Sequence, residues 1–334
     1  MDHPEQYDAV VIGSGEGGKY LAWHMATAGQ RAAVIERKWV GGSCPNINCL
    51  PSKNEIWSAG VAHTVSRAGA FGVTSGPIAV NMAKVLARKR AMVDGLVAFH
   101  LERYRATGAE LIMGSGRLVA PRTVEVSLND GGIRVVTARK LFLNVGTHAS
   151  IPPVPGLRAV DPLTHVEALE LNRLPQHLIV LGGGYVGLEL GQAYRRFGSR
   201  VTVIEHGARL VGREDPDVSE EVERLLRAEG VEVLLSADLE RVEGRSGDRI
   251  RARVHTPAGH KDLEGTDILV AAGRTPNTRD IGLQENGIEL TDRGYVRVNE
   301  RLETTAADTW AIGECAGRAD GPAVRAIAPG AHRR

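Results

Sequence analysis

The chain has almost no net charge, few cysteines and no long apolar segment. Its formal net charge of +1 gives no electrostatic reason to expect nucleic acid or an anionic membrane as a partner. No apolar run approaches the ~20 residues needed to span a bilayer, and the polar N-terminus does not resemble a signal peptide. These absences, together with a hydrophobic content of 43%, predict a soluble, cytoplasmic globular protein.

Only three cysteines are present, and two of them, Cys44 and Cys49, lie close together. They belong to the segment G-G-S-C-P-N-I-N-C-L-P-S-K, residues 41–53. A structural zinc site needs four ligands, usually from two close pairs, whereas the remaining cysteine is the distant Cys315. In a cytosolic protein a close pair that does not bind metal is typically redox-active. The segment therefore predicts a redox pair and no metal site.

Two prolines predict the helix geometry around this pair. A residue before proline is pushed out of the α region, so Cys44 is expected outside a helix with Pro45 at its first position. Cys49 then falls one turn in, and Pro51 removes a helical hydrogen bond and bends the helix. A bend is required, because a regular helix holds residues five apart beyond the ~4.4–6.8 Å Cα separation of a disulfide. A helix N-terminus and the nearby Lys53 would favour a thiolate.

A nucleotide-binding pattern begins the chain. Residues 7–12 read as a buried strand, which leads into the G-x-G-x-x-G at 13–18 and a helix to about residue 29. A second strand, 32–35, ends on Glu36. A strand before the glycines, a helix after them and an acid about twenty residues on together indicate a dinucleotide site. The glycines admit a pyrophosphate at the helix N-terminus, and the carboxylate binds ribose hydroxyls.

The same unit recurs at a constant offset of 169 residues. Its strand is residues 177–181, and a second strand, 201–204, leads into its acid. The matched positions are Gly182, Gly184 and Gly187 for Gly13, Gly15 and Gly18, Gly198 for Gly29, and Glu205 for Glu36. Such a register predicts two dinucleotide sites in one chain.

The region between and after the two units carries further elements. A long helix is predicted at about 81–107, and its many basic residues are interpreted as a solvated face. The Pro-rich run 151–156 is the clearest domain boundary, and a second crossing is predicted near 271–277. Strands are predicted at 109–113, 123–128, 133–136 and 141–147, with a hairpin turn at 129–132.

With these motifs the chain resembles the pyridine nucleotide-disulfide oxidoreductases, which include dihydrolipoamide dehydrogenase, glutathione reductase and mercuric reductase. The resemblance covers residues 7 to about 316, and its motif G-G-S-C-x4-C-x2-S-K is highly specific. It implies an α/β fold of two Rossmann-like dinucleotide-binding domains, with a parallel central sheet and a β-meander, the second inserted in the first. The implied domains are 1–151 plus 272–316 for FAD, 152–271 for NAD(P), and an irregular tail at 317–334 in place of the family's dimer-forming domain.

The resemblance also implies roles for individual side chains. Cys49 would be the thiol next to the flavin, and Cys44 would be the interchange thiol that attacks the substrate. Lys53 would pair with Glu189 near the flavin, and Tyr185 would be the aromatic gate that moves aside for nicotinamide. Cys315 has no redox role in the family.

Cofactor-binding positions carry over from the same resemblance. The residues implied are Gly13, Ser14, Gly15, Gly17, Gly18, Glu36, Arg37, Gly42, Ser43, Lys53, Gly146, Thr147, Gly182, Gly184, Tyr185, Val186, Gly187, Glu205, Gly273, Arg274, Gly313 and Glu314. Glu314 stands where the family usually has Asp. A carboxylate at Glu205 accepts hydrogen bonds from a ribose 2′-hydroxyl and repels a 2′-phosphate, which favours NADH over NADPH.

The implied activity passes electrons from NADH through FAD to the Cys44–Cys49 disulfide and on to a disulfide or similar small-molecule acceptor. The family's homodimer is expected, but its interface domain and catalytic His–Glu pair are not found here. His165 and Glu170 have that pair's spacing but precede the second nucleotide unit, so we do not assign them to it. Slow turnover is therefore expected. The alternatives are an NADH diaphorase or quinone reductase, and a non-catalytic FAD-binding remnant.

Overall fold

A computed structural model describes residues 4–318 and 321–322 of the chain. The predicted tail at 317–334 therefore lies mostly outside the described residues. By its internal contacts the chain divides into two compact units. The first unit comprises residues 1–46, 94–148 and 275–334, and the second comprises 47–93 and 149–274.

The described residues form α-helices and β-strands, and several strands follow one another after α4 and after α7. The α-helices are α1 (Glu16–Thr27), α2 (Ser43–Asn46), α3 (Cys49–Ser66), α4 (Met82–Thr107), α5 (His165–Ala168), α6 (Tyr185–Phe197) and α7 (Pro216–Ala228). The strands are β1 (Glu5–Ile12), β2 (Ala32–Glu36), β3 (Glu110–Ala120), β4 (Thr123–Leu128), β5 (Ile133–Leu143), β6 (Thr147–Ala149), β7 (His177–Leu181), β8 (Arg200–Ile204), β9 (Glu232–Leu234), β10 (Asp238–Arg245), β11 (Arg249–Thr256), β12 (Gly259–Gly265), β13 (Asp267–Val270), β14 (Arg274–Pro276), β15 (Val296–Arg297), β16 (Thr309–Ala311), β17 (Ala316–Arg318) and β18 (Gly321–Pro322).

The first unit is built on one mixed sheet. Strands β3, β2, β1, β5 and β16 pair in parallel in that order, and β4 pairs antiparallel with the far ends of β3 and β5. The long strands β3 and β5 thus serve both a parallel nucleotide-type sheet and a β-meander. Val10 and Val11 are fully buried although they face opposite sides of β1, as expected for a parallel strand covered on both faces.

The second unit has a four-stranded parallel sheet in the order β13-β7-β8-β9 and a separate antiparallel sheet, β10-β11-β12. Helix α6 packs on the parallel sheet through an apolar face that includes Leu190, Ala193 and Tyr194. Helix α3 and the start of α4 also group with this unit. Ala59 of α3 and Met82 of α4 belong to the same buried cluster as the α6 residues.

The α/β fold predicted from the sequence is confirmed, and so are most predicted elements. Outside the cysteine segment, two details were wrong. The strand predicted at 133–136 and residues 141–143 of the strand predicted at 141–147 belong to one strand, β5, because it pairs with β4 at one end and with β1 at the other. The basic face of α4 is not wholly solvated, because Lys89 is only 1% exposed and is held by Glu170 and the Leu169 carbonyl oxygen.

Candidate active site

The first glycine loop lies between β1 and α1. Gly13 has φ +100°, and a Cβ at this position would lie 2.3 Å from the Asn144 carbonyl oxygen, so only glycine fits the turn. Gly15 is the N-cap of α1 and provides no side-chain cap, which leaves the first backbone N–H groups of the helix for a ligand. A helix start of this kind suits a pyrophosphate. Gly18 is buried one turn later, close to Gly13.

Glu36 connects this loop by hydrogen bonds to the turn that follows β2. Its Oε2 accepts hydrogen bonds from the Ser14 backbone N–H and hydroxyl at 2.9 and 2.7 Å. Its Oε1 accepts from the backbone N–H groups of Lys38 and Trp39 at 2.8 and 2.9 Å. The carboxylate is 7% exposed, so its charge is satisfied almost entirely by the protein. The exposed Arg37 follows it at the start of the turn.

Three further segments of the first unit meet near the end of β5. Thr147 donates its hydroxyl hydrogen to Glu314, so two predicted cofactor-binding positions are brought together. Gly146 and Gly313, the residues before them, have φ values of +64° and +73°. Asn277 closes the turn, because its side-chain amide donates to the Val145 carbonyl oxygen at 2.8 Å.

The second glycine loop repeats this geometry in the second unit. Gly182 has φ +112°, and a Cβ there would lie 2.5 Å from the Ala271 carbonyl oxygen. A Cβ at Gly187 would lie 2.2 Å from the Gly182 carbonyl oxygen, so this glycine lets α6 start directly against the loop. Gly184 caps α6 without a side-chain hydrogen bond, and apart from its chain neighbours no heavy atom of the described residues lies within 4 Å of its Cβ position. The start of α6 is therefore open to a ligand.

Glu205 occupies the place in the second unit that Glu36 has in the first. Its Oε2 accepts from the Gly183 backbone N–H at 2.5 Å, and its Oε1 accepts from the Gly207 backbone N–H at 2.7 Å. The side chain is only partly buried. Each oxygen thus accepts one described hydrogen bond, which leaves acceptor capacity for a ribose hydroxyl.

Tyr185 is the first residue of α6, and its side chain is exposed, with 61% of its surface accessible. Its hydroxyl donates to Glu214 Oε1 at 2.5 Å, and this hydrogen bond raises the pKa of the tyrosine. An exposed ring at this position can change its rotamer without disturbing the core. The neighbouring Val186 is partly buried.

The cysteine segment differs in detail from the expectation. Cys44 lies inside the short helix α2, and a second helix, α3, begins at Cys49. The chain leaves helical geometry at Asn48, with φ −138° and ψ −102°, so the break precedes Cys49 instead of falling at Pro51. Pro51 lies in the first turn of α3, where its missing N–H would have no helical partner. Cys44 is partly exposed and Cys49 is exposed.

Lys53 and Glu189 form the ion pair that the family resemblance implies. Lys53 lies one turn after Cys49 on α3, and its Nζ is 2.5 Å from Oε2 of Glu189 on α6. Both side chains are substantially exposed. The pair connects the helix that begins with Cys49 to the helix that begins with Tyr185.

The remaining predicted positions belong to both units. A Cβ at Gly42 would lie 2.4 Å from the Gly15 Cα, so the cysteine segment begins in contact with the first glycine loop. Gly273 accepts a hydrogen bond from the Ser150 backbone N–H at 3.0 Å. Ser43 starts α2, Gly17 lies in the first turn of α1, and Arg274 starts β14. Cys315 is fully buried, and burial raises the pKa of its thiol to about 11.

Sequence reasoning missed two side chains that shape the first glycine loop. Asn144 donates from its side-chain amide to the Gly13 carbonyl oxygen at 3.0 Å. Lys19 is 1% exposed, and its Nζ contacts Glu16 at 2.7 Å and the Gly41 carbonyl oxygen at 3.1 Å. The sequence carried a signal for each of them. Asn144 is a polar residue directly after a buried strand, and Lys19 lies on the buried face of a helix.

Comparisons with known proteins show which family the chain belongs to. The family model described as pyridine nucleotide-disulphide oxidoreductase matches residues 7–330. The chain is 36% identical to a mercuric reductase from Streptomyces lividans, over 92% of this chain and 65% of that protein. It is 31% identical to a dihydrolipoamide dehydrogenase from Chaetomium thermophilum, over 92% of this chain and 62% of that protein.

The chain is also similar to a solved structure of a flavoprotein disulfide reductase. The HOCl-induced flavoprotein disulfide reductase RclA from Escherichia coli superimposes with a TM-score of 0.81 and 31% identity, over 92% of this chain and 66% of that one. The chain thus spans roughly half to two thirds of the length of such relatives. The matched family is FAD-dependent and uses a pyridine nucleotide. With the family model matching nearly its whole length, the chain belongs to the pyridine nucleotide-disulphide oxidoreductases.

Proposed function

We propose that the protein passes two electrons from NADH, through FAD bound at the first glycine loop, to a Cys44–Cys49 disulfide and on to a disulfide or similar small-molecule acceptor. The observation that carries the proposal is the start of α3, where Cys49 is followed one turn later by Lys53 in an ion pair with Glu189. This pair connects the cysteine-bearing helix to the helix of the second glycine loop within the second unit.

The residues present fit both cofactors. Each glycine loop ends at a helix whose first N–H groups have no side-chain cap, which suits a pyrophosphate. When bound, FAD would accept a hydride from NADH and supply two electrons to the cysteine pair. Thr147 and Glu314 would hold the FAD chain beyond the pyrophosphate. Tyr185 would cover the flavin until nicotinamide arrives, with Glu214 as its resting partner.

The cysteines then carry out exchange chemistry. The Cys44 thiolate attacks one sulfur of the acceptor disulfide, and the other acceptor sulfur leaves as a thiolate. The Cys49 thiolate attacks Cys44 in the mixed disulfide, which releases the second acceptor thiolate and restores the Cys44–Cys49 bond. The exposure of Cys49 and partial exposure of Cys44 suit this sequence.

The coenzyme preference follows from Glu205. Its carboxylate is held at the end of β8 by two backbone N–H groups and keeps unused acceptor positions. A ribose 2′-hydroxyl can donate to it, whereas a 2′-phosphate would be repelled. We therefore assign NADH as the reductant. A kcat/KM for NADPH equal to or above that for NADH would contradict this assignment.

An anaerobic titration with NADH, followed by visible absorbance, tests the proposal directly. The purified, FAD-loaded protein should bleach at the flavin bands and gain a long-wavelength thiolate-to-flavin band. Cys49→Ala should lose that band while still being bleached. Cys315→Ala is the matched control, because that thiol is buried and has no part in the exchange.

Each outcome of the titration has a distinct meaning. A long-wavelength band that persists in Cys49→Ala would refute the assignment of this thiol. Failure to bind FAD, or flavin that stays oxidised with NADH, would refute the proposed activity. Undiminished dye or quinone reduction by Cys44→Ser, without disulfide reduction in the parent protein, would favour a diaphorase.

A further inference from the structure

Helix α1 carries a buried lysine that the proposed chemistry does not use. Only 1% of the surface of Lys19 is exposed, although lysine is almost never fully buried unless it is paired. Its ammonium group contacts Glu16 Oε1 at 2.7 Å and the Gly41 carbonyl oxygen at 3.1 Å. Glu16 belongs to α1 as well, one turn earlier, and is exposed. The hydrogen bond to Gly41 instead connects α1 to the turn before the short helix α2.

The backbone of this turn requires a donor from elsewhere in the chain. Gly41 and Gly42 are buried and have φ values of +92° and +85°, and neither lies in a helix or a strand. The Gly41 carbonyl oxygen cannot accept an α-helical hydrogen bond, because the residue four positions later is Pro45, which has no N–H. A buried carbonyl group without a donor costs free energy. Lys19 provides the donor.

Other polar groups of the turn are also bonded by side chains. The Ser14 hydroxyl oxygen accepts from the Gly41 backbone N–H at 2.9 Å. The side-chain amide of Asn46 donates to the carbonyl oxygens of Val40 and Gly42 at 2.9 and 2.7 Å. Ser14 belongs to the first glycine loop, whereas Asn46 belongs to α2. The turn is thus bonded to the loop on one side and to α2 on the other.

The turn determines where α2 begins. Gly42 directly precedes α2, whose second residue is Cys44. A Cβ at Gly42 would lie 2.4 Å from the Gly15 Cα, so the turn packs directly on the first glycine loop. Only Ser43 separates Gly42 from Cys44, and consecutive Cα atoms are ~3.8 Å apart. A shift of the turn is therefore passed on to the Cys44 thiol.

We propose that Lys19 is a positioning residue, whose hydrogen bond to the Gly41 carbonyl oxygen holds this turn on the first glycine loop and thereby positions Cys44. The inference rests on the proposed function in that Cys44 is the thiol that attacks the acceptor. Without the ammonium group the Gly41 carbonyl oxygen stays buried and loses its donor, so the turn opens more often. The strands of the first unit do not use this hydrogen bond and keep their protection.

Hydrogen–deuterium exchange of the full-length chain tests the inference on the turn itself. Lys19→Met removes the ammonium group and keeps an apolar side chain of similar length. The amides of Gly41 and Gly42, which both donate within the loop and the turn, should exchange on the order of tenfold faster than in the parent protein. The amides of β2, residues 32–36, should exchange at the parental rate.

Two further variants separate the hydrogen bond from a general effect of losing a lysine. Lys140→Met removes an exposed lysine of the same unit and should leave the exchange of the turn and of β2 unchanged. Lys19→Arg keeps a cationic donor at the same position. It should restore most of the protection that Lys19→Met loses.

A second measurement concerns the chemistry of Cys44. The FAD-loaded protein is given NADH and either lipoamide, a small cyclic disulfide, or ferricyanide, which takes electrons without thiol exchange. The ratio of the lipoamide rate to the ferricyanide rate should fall on the order of tenfold in Lys19→Met, because a displaced thiol attacks its acceptor more slowly.

Several results would overturn the proposal. Parental exchange of Gly41 and Gly42 in Lys19→Met is one, and a Lys19→Arg protein no better protected than Lys19→Met is another. Exchange that rises equally in β2, or a Lys19→Met chain that does not fold, would show a merely structural role. An unchanged rate ratio would show that Cys44 is not positioned by the turn. A parent protein that reduces neither acceptor would contradict the proposed function alone, since the exchange experiment contains no NADH and no acceptor.

Discussion

Replacing Glu36 by Gln should destabilise the first unit far more than an ordinary surface substitution. The carboxylate accepts four hydrogen bonds, two on each oxygen, and is nearly inaccessible to water. An amide has only one oxygen, so its NH2 group must face one pair of these donors. Facing Lys38 and Trp39 would leave two backbone N–H groups unpaired. Facing Ser14 leaves only one, because the serine hydroxyl can donate to the Trp39 carbonyl oxygen at 3.0 Å instead.

The expected loss of unfolding free energy follows from the second orientation, in which the amide faces Ser14, because that orientation leaves fewer donors unpaired. One buried N–H without a partner costs about 1–3 kcal/mol, and the two remaining hydrogen bonds each lose about 1 kcal/mol when their acceptor is no longer charged. The sum is about 3–5 kcal/mol. Glu205→Gln should cost about 1–2 kcal/mol, because that carboxylate accepts two described hydrogen bonds and is partly open to water.

Urea unfolding followed by tryptophan fluorescence measures the effect, since three of the four tryptophans, Trp23, Trp39 and Trp310, lie in the first unit. Glu285→Gln, an exposed acid of the same unit, is the matched control. A midpoint for Glu36→Gln that equals the control, or that falls less than the midpoint of Glu205→Gln, would refute the account of these two carboxylates.

Three other predictions concern buried charges and thiols. Asp267→Asn should lower the free energy of unfolding by about 1–3 kcal/mol in urea, because it breaks a two-point contact between a fully buried carboxylate and the partly exposed Arg173. Cys315 should resist iodoacetamide in the native protein at mildly alkaline pH, as read by mass spectrometry, because burial raises its thiol pKa to about 11. Burial gives Glu55 a folded pKa of about 7, above its unfolded value of 4.5, so its stabilising contribution is complete below pH 4.5. That contribution should be lost as pH rises to about 7, by about 3 kcal/mol in total, and a Glu55→Gln protein with the same pH slope as the parent would contradict this.

The sequence was informative wherever a local pattern carries its own structural cause. The repeat at a fixed offset predicted both glycine turns, because positive φ values at Gly13 and Gly182 permit only glycine. The Lys53–Glu189 pair was also predicted, but only through the family resemblance, since the two residues are 136 positions apart. Neither periodicity nor composition could have joined them.

The wrong predictions arose where a rule about local sequence was applied but the rest of the structure decided the outcome. Pro51 was expected to bend a helix, but a proline is unfavourable only in a helix interior, and the sequence did not show that α3 starts at Cys49. Lys89 was read as one residue of a solvated basic face. Its burial depends on Glu170, which lies 81 residues away and neutralises it. No local pattern contains that information.

The two glycine loops share a backbone but differ in how they are closed. In the first, the Asn144 amide nitrogen lies 2.9 Å from the Cβ position of Gly15, and Glu36 is sealed by four hydrogen bonds. In the second, Ala271 takes the place of the asparagine, because its carbonyl oxygen lies against Gly182 as that of Asn144 lies against Gly13, and the Cβ position of Gly184 is open. A closed loop suits a group that stays bound through many turnovers, and an open loop suits a coenzyme that must enter and leave. This asymmetry supports the proposed assignment of FAD to the first loop and NADH to the second.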